Sequence, residues 1–203
     1  MRAVSILSIV FVACVFGQGY RPTVVPPSSF AAQIFQQSSI PDYGKRSGML
    51  YHDGKGKIAS KVEDDMGDFG SWKEEEYSLL QADGTSIVYS NGTNGCTYRA
   101  AEKNKINYDL FSWILNEKVY FIPAGGEDYQ GYPCDLWKRP NTSGKPGAGK
   151  FIETVCVSQW DPTVPAFHEQ SEWNIKTFFL AFKPTTSFDN AFQPPQGCRP
   201  SNF

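Results

Sequence analysis

Phosphate chemistry is the first activity that the residue order raises. Gly144-Lys145-Pro146-Gly147-Ala148-Gly149-Lys150 matches the string G-x-x-x-x-G-K, in which backbone N–H groups cradle phosphates and the lysine reaches them. That motif requires Ser or Thr next, to hold Mg²⁺, and a helix after it. Phe151 stands there instead, and Phe151–Val157 (FIETVCV) reads as a strand, so the segment is a Gly-rich loop.

Acid–base and nucleophilic chemistry find no better footing. His52 and His168 are the two histidines; neither has an H-x-x-x-H partner, and no G-x-S-x-G elbow occurs. His52, beside Asp53, reads as the end of a hairpin, and His168, beside Glu169, as a surface or loop residue. A hydrolase would need one of them next to a nucleophile brought together only in space. Glu63-Asp64-Asp65, with Asp68 nearby, offers oxygen ligands for calcium but lacks the spaced D-x-[DN]-x-[DN]-G pattern; the bland alternative is a solvated run of like charges. The expectation is therefore a non-enzyme without a cofactor, calcium being the one metal with any donor set.

The elements that would position these residues are mostly strands. Residues 18–29, with Pro22, Pro26 and Pro27, form an extended N-terminal segment. Ser47–His52 and Lys57–Val62 flank Asp53-Gly54-Lys55-Gly56, whose glycines supply the positive φ of a hairpin connection. Glu76–Gln81 and Thr85–Ser90 flank Ala82-Asp83-Gly84 in the same way, with Tyr77 and Leu79, then Ile87 and Tyr89, alternating as one buried face requires. Lys150–Gln159 and Ile175–Phe182 are two more strands. Asn107–Asn116 breaks the pattern: Asn107 as N-cap, Asp109 in the first turn, and Leu110, Phe111, Ile114 and Leu115 at helical spacing predict one amphipathic helix laid on an open sheet face.

The N-terminus decides the compartment. Met1-Arg2 followed by an apolar run to Phe16 and small residues is a secretory signal peptide, 1–17, cleaved after Gly17; the run is too short to span a bilayer, and no later segment is longer. Phe11-Val12-Ala13-Cys14 fits a lipoprotein signal poorly, with Phe where Leu is usual. Losing Arg2 moves the balance from 19 basic against 21 acidic residues to 18 against 21, without the basic footprint of a nucleic-acid binder. Cys14 leaves with the signal, and Cys96, Cys134, Cys156 and Cys198 remain, an even number that reads as disulfides in an oxidising compartment, with three pairings open. Asn91-Gly92-Thr93 and Asn141-Thr142-Ser143 are sequons in loop-like contexts, so Asn91 and Asn141 are the expected glycosylation sites. Residues 30–203 are expected to form a single domain.

Phe, Trp and Tyr make up 15% of the chain. Most must belong to a core, but a sheet curved enough to wrap a cavity would be lined by the same residue types. Phe111, Trp113, Tyr120, Phe121, Trp160 and Phe179 are the pocket candidates.

Pro146-Gly147-Ala148-Gly149 before a strand ending at Trp160, and the tail Phe188-Asp189-Asn190-Ala191-Phe192-Gln193-Pro194-Pro195-Gln196-Gly197-Cys198, resemble the ependymin-related secreted glycoproteins. Phe30-Ala31-Ala32-Gln33, the hairpin at Tyr51-His52-Asp53 and Cys96 after a strand pair are similar too. The resemblance covers most of residues 28–198, and Asn190-Ala191-Phe192-x-Pro194-Pro195-x-x-Cys198 is its most specific part. It implies a mainly β (α+β) fold of strongly curved, stacked antiparallel sheets, a half-barrel related to bacterial lipoprotein carriers, around an apolar pocket with one or two short helices. It also implies a hydrophobic or lipid-like ligand, calcium-linked behaviour, cell adhesion and homodimers. Cys96 would pair with Cys198, leaving Cys134 for Cys156. The chain departs from the family in carrying fewer cysteines and in Gly131-Tyr132-Pro133-Cys134-Asp135-Leu136-Trp137. Two functions follow as expectations: a soluble carrier of a lipid-like molecule, or an extracellular matrix and adhesion glycoprotein.

Overall fold

Turn chemistry sets much of the topology. Asp53 Oδ1 accepts hydrogen bonds from the backbone N–H groups of Lys55, Gly56 and Lys57, each at 2.8 Å, and Gly54 turns the chain at φ 70°. Asp83 does the same for Thr85, with Gly84 at φ 83°. Short polar side chains that bond their own backbone favour such turns over continued strand. The computed structural model describes residues 22–38, 44–65, 70–101, 106–116, 118–142, 150–171 and 174–201. The expected signal peptide 1–17, residues 144–149 of the phosphate-loop-like string, Asp68 and Trp173 lie outside the described residues.

The elements are β1 (Ser29–Ser38), β2 (Lys45–Asp53), β3 (Lys57–Asp65), β4 (Ser71–Leu80), β5 (Ser86–Gly92), β6 (Gly95–Ala101), α1 (Trp113–Asn116), β7 (Tyr120–Glu127), β8 (Pro133–Pro140), β9 (Phe151–Ser158), β10 (Pro165–Gln170), β11 (Ile175–Pro184) and β12 (Arg199–Pro200). They form one curved, open sheet in the order β12-β6-β5-β4-β3-β2-β1-β11-β10-β9-β8-β7. All pairs are antiparallel except the short β12, which runs parallel to β6. The mainly β expectation holds, and its curvature is carried by one continuous sheet. Cys96–Cys198 fastens the tail that supplies β12 to the β6 edge, and Cys134–Cys156 joins β8 to β9. A tied-down tail on an edge strand shields N–H and C=O groups that would otherwise invite foreign strands.

Alternation assigns each strand residue to a face. One face carries Phe30, Ala32, Ile34, Val62, Trp137, Val155, Val157 and Phe179, in a single cluster with Phe111, Trp113 and Ile114. Val62 on β3 and Trp137 on β8 are six strand spacings apart, about 29 Å on a flat sheet. Their membership of one cluster fits a sheet curled around the α1 segment, with this as its inner face. The outer face holds a smaller cluster of Cys134, Leu136, Cys156, Ala166, Phe167 and Phe178.

Two local expectations are corrected. The helix is one turn, Trp113–Asn116, rather than Asn107–Asn116. Asn107 accepts from the Asp109 N–H at 2.9 Å, and Asp109 accepts from Phe111 and Ser112, so Asx-type turns consume the first half of the segment and helix begins only after it. On β5 the buried residues are Ser86 and Val88, whereas Ile87 and Tyr89 lie only partly covered on the other face. Ser86 and Val88 face inward, so a polar residue stands at an inner position and hides the alternation.

Gly126 on β7 is required for space. A Cβ there would lie 2.7 Å from Cys156 Sγ, an atom the disulfide holds in place. Gly126→Ala is therefore expected to cost about 1–3 kcal/mol through overpacking. Urea unfolding checks this, and a loss near zero would mean that β7 moves freely over the bridge.

Candidate functional site

The inner face has two sectors. The apolar sector, from β1 to β8, is filled rather than empty: Phe30 lies 6.0 Å from both Phe111 and Phe179 and 4.7 Å from Phe182, ring centre to ring centre. Leu50, Leu110, Val119 and Phe121 pack at its margin. The α1 segment is pinned over it from the N-terminal side. Ser28 donates its hydroxyl hydrogen to Asp109, and His52 Nδ1 lies 2.7 Å from the Ser28 carbonyl. His52 is at the hairpin end as expected, but it is fully buried and stacked on Phe30 at 5.5 Å. Burial lowers its pKa, against the pull of the Ser28 carbonyl and of Asp53 and Asp109. The Ser28 hydroxyl points to a carboxylate and not to the imidazole, which is a clamp and not a nucleophile–base pair.

The polar sector crosses the same face. Strand register places His168, Thr177, Gln36, Arg46 and Asp64 side by side on β10, β11, β1, β2 and β3. Gln36 Nε2 donates to Thr177 Oγ1 at 2.9 Å. Arg46 bridges two acids, Nε to Asp64 at 2.5 Å and Nη2 to Glu74 at 2.9 Å. Two rows further along, Ser60, Glu76, Ser90 and Thr97 are neighbours on β3, β4, β5 and β6, beside Ser78 and Arg99. Burial raises the pKa of Glu76, Glu74 adds to the rise, and Arg99 and Arg46 oppose it. Its side chain is nonetheless solvent-accessible. A carboxylate inside a curl that is open at the mouth meets both descriptions.

His168 is corrected most strongly. It is buried on β10, only 5% exposed, with its pKa lowered to about 4 by burial. Its Nε2 lies 3.9 Å from Glu153, which also faces Arg139 at 3.8 Å. The calcium donor set is divided by the pleat. Asp64 points inward to Arg46 while Glu63 and Asp65 point outward, and among the described residues no three His, Cys, Asp or Glu side chains gather as metal ligands.

The pocket candidates separate. Phe111, Trp113 and Phe179 come together in the inner core, and Phe121 joins its edge against Trp137 at 4.4 Å. Tyr120 is 45% exposed beside Phe151, and Trp160 is 79% exposed, far from any inner-face role. Asn91 is the penultimate residue of β5 and donates to Glu75 at 3.2 Å; Asn141 leads into residues 143–149, outside the described set. The tail motif folds over the β2–β3 turn. Phe188, Asp189, Asn190 and Phe192 line an open cleft of about 480 Å³ with Asp53, Lys55 and Lys57. Asp189 and Asn190 take positive φ, 25° and 68°, a conformation their short polar side chains tolerate better than most.

Sequence reasoning passed over Arg46, Glu74, Glu76, Gln36 and Thr177. Alternation within β4 (Trp72, Glu74, Glu76, Ser78) does mark a polar face, but nothing local says that it is the inner one. No helix among the described residues is long and apolar enough to cross a membrane. No family model matches the sequence, and no curated protein matches it.

Proposed function

We propose that this chain is a secreted, N-glycosylated carrier of an amphipathic, lipid-like molecule, of the ependymin-related kind that its tail motif resembles. The observation that carries the reading is the composition of the inner face. An apolar sector with Leu50 and Val62 at its border adjoins a sector of small hydroxyl side chains, Ser60, Ser78 and Ser90, set around Glu76. Small side chains leave room above the sheet, and apolar surface beside a few polar groups suits a ligand with an apolar body and a polar end. Both disulfides that the resemblance implies are formed, as expected of a chain in an oxidising compartment.

Protein secreted from eukaryotic cells, unreduced and with glycans trimmed, should carry extra mass in native mass spectrometry, lost on denaturation and recovered in an organic extract. Ser60→Trp, which fills the border between the sectors, should weaken binding about tenfold or more, equivalent to ~1.4 kcal/mol, and lower that occupancy. Occupancy indifferent to Ser60→Trp would sink the inner face as the site. A second reading, an extracellular matrix or adhesion glycoprotein, is favoured by the exposed ring of Trp160. Dimers that depended on calcium would move the assignment there.

A further inference from the structure

Trp160 and Tyr132 stand at the outer-face end of β8 and β9, their ring centres 5.3 Å apart and tilted by 52°. Trp160 is 79% and Tyr132 49% exposed. Aromatic rings held out in water without a structural role mark contact surfaces. The backbone that carries these two is fixed by its own turns. Asp128 Oδ1 accepts from the N–H groups of Gln130 and Tyr132 at 2.8 Å, and Gly131 turns the loop at φ 87°. Ser158 Oγ accepts from the Trp160 N–H at 3.2 Å, and Asp161 closes the next turn onto Thr163 at 2.9 Å. Gln159 Nε2 donates to Asp135 at 2.7 Å, tying one loop to the strand that carries the other. Behind them Cys134 pairs with Ser158 across the ladder, and the Cys134–Cys156 bridge locks the two strands. A platform fixed in advance spends little ordering entropy when something docks on it.

The rim chooses the occupant. Asp128 holds the Tyr132 N–H, Asp135 holds the Gln159 amide beside Trp160, and Asp161 follows Trp160 in the chain, while Lys176 lines a pocket with Glu127 and Asp128 on the far side of that loop. Ionised carboxylates only accept hydrogen bonds, so a ligand rich in donors suits the three aspartates, which disfavour phosphate or sulfate. The same carboxylates resist burial among lipid headgroups. The rings lean on each other instead of facing across a gap, so they form no cage for an ammonium ion, and a cation on one exposed ring face is held weakly. An uncharged ring with an apolar C–H face and hydroxyl donors at its edge matches both the exposed aromatic faces and the acceptors beside them. We propose that the Trp160–Tyr132 platform binds a neutral sugar ring, stacked on Trp160 with its hydroxyls donating to the rim carboxylates. This goes beyond the carrier reading and stands without it.

The test uses the secreted protein with its own glycans trimmed, because an attached glycan would compete. Neutral oligosaccharides of glucose, mannose, galactose and N-acetylglucosamine are the probes, read by saturation-transfer NMR and by tryptophan emission. At least one should receive saturation on its ring C–H protons. Trp160→Ala should weaken that binding about tenfold or more, the size of loss typical of a central aromatic anchor, and Trp160→Phe should restore part of it. Both substitutions lie on the surface, and an unchanged urea midpoint confirms the fold. No transfer to any neutral sugar overturns the proposal, as does transfer indifferent to Trp160→Ala. Trp160-dependent binding of tetramethylammonium or phosphatidylcholine vesicles in place of sugars overturns it too.

Discussion

Replacing Cys96 and Cys198 together by serine is expected to lower the unfolding free energy by about 4–5 kcal/mol, the chain-entropy value for a closed loop of this size. The two residues are 102 apart in sequence, so in the unfolded state the bridge ties the segment that carries β7 to β11 into one ring. Cys134 and Cys156 are 22 apart and constrain far less of the unfolded chain. The native state adds a local consequence. Cys198 fastens a tail whose only strand is Arg199–Pro200, too short to hold the β6 edge by its own hydrogen bonds. Urea unfolding of the double variant against the native chain gives the difference. A loss below about 1 kcal/mol, well under the entropic value, would mean that contacts such as the Ser201 N–H donating to the Tyr98 carbonyl at 2.7 Å hold the tail unaided.

That bridge also marks how far the sequence could be read. An even cysteine count after a signal peptide reads as disulfides, but the residues alone leave three pairings, because pairing depends on which strands meet. The hairpins at Asp53-Gly54 and Asp83-Gly84 were legible for the opposite reason: a turn is decided by the few residues that form it. Helix length in 107–116 was misjudged because Asn107 and Asp109 suit a cap and an Asx turn equally well, and only packing of Phe111 and Ile114 selects between them. The polar sector was out of reach for a longer-range reason. Arg46, Asp64 and Glu74 sit on three strands, and their meeting requires a register that no single strand encodes. Trp160 shows the limit of composition. It has the residue type of a pocket wall, yet the chain turns at Ser158 and leaves it in water.

His168 was read as a surface residue because nothing in Phe167-His168-Glu169-Gln170 says that β10 lies in the middle of the sheet, between β9 and β11. Its burial leads to the second large expectation. An unfolded histidine protonates near pH 6.5, whereas buried His168 stays neutral down to about 4. Between those values the unfolded chain binds more protons than the native one, so stability falls as the pH falls through the window and levels off below it. The shift corresponds to roughly 3 kcal/mol. Glu153, 3.9 Å from Nε2, favours the protonated ring when ionised and reduces the effect, although Arg139 shares that carboxylate at 3.8 Å. His52, also pushed down by burial, adds a loss of the same sign, so the readout must be a difference between proteins. Urea unfolding of the native chain and of His168→Phe, repeated from pH 7 to pH 4, should give a gap that shifts by up to roughly 3 kcal/mol in favour of the variant as the pH falls. A gap that moved instead in favour of the native chain as the pH falls would mean that His168 is protonated in the folded state and paired with Glu153. The polar sector would then already hold a buried ion pair at this position, and its electrostatics would have to be redrawn around it.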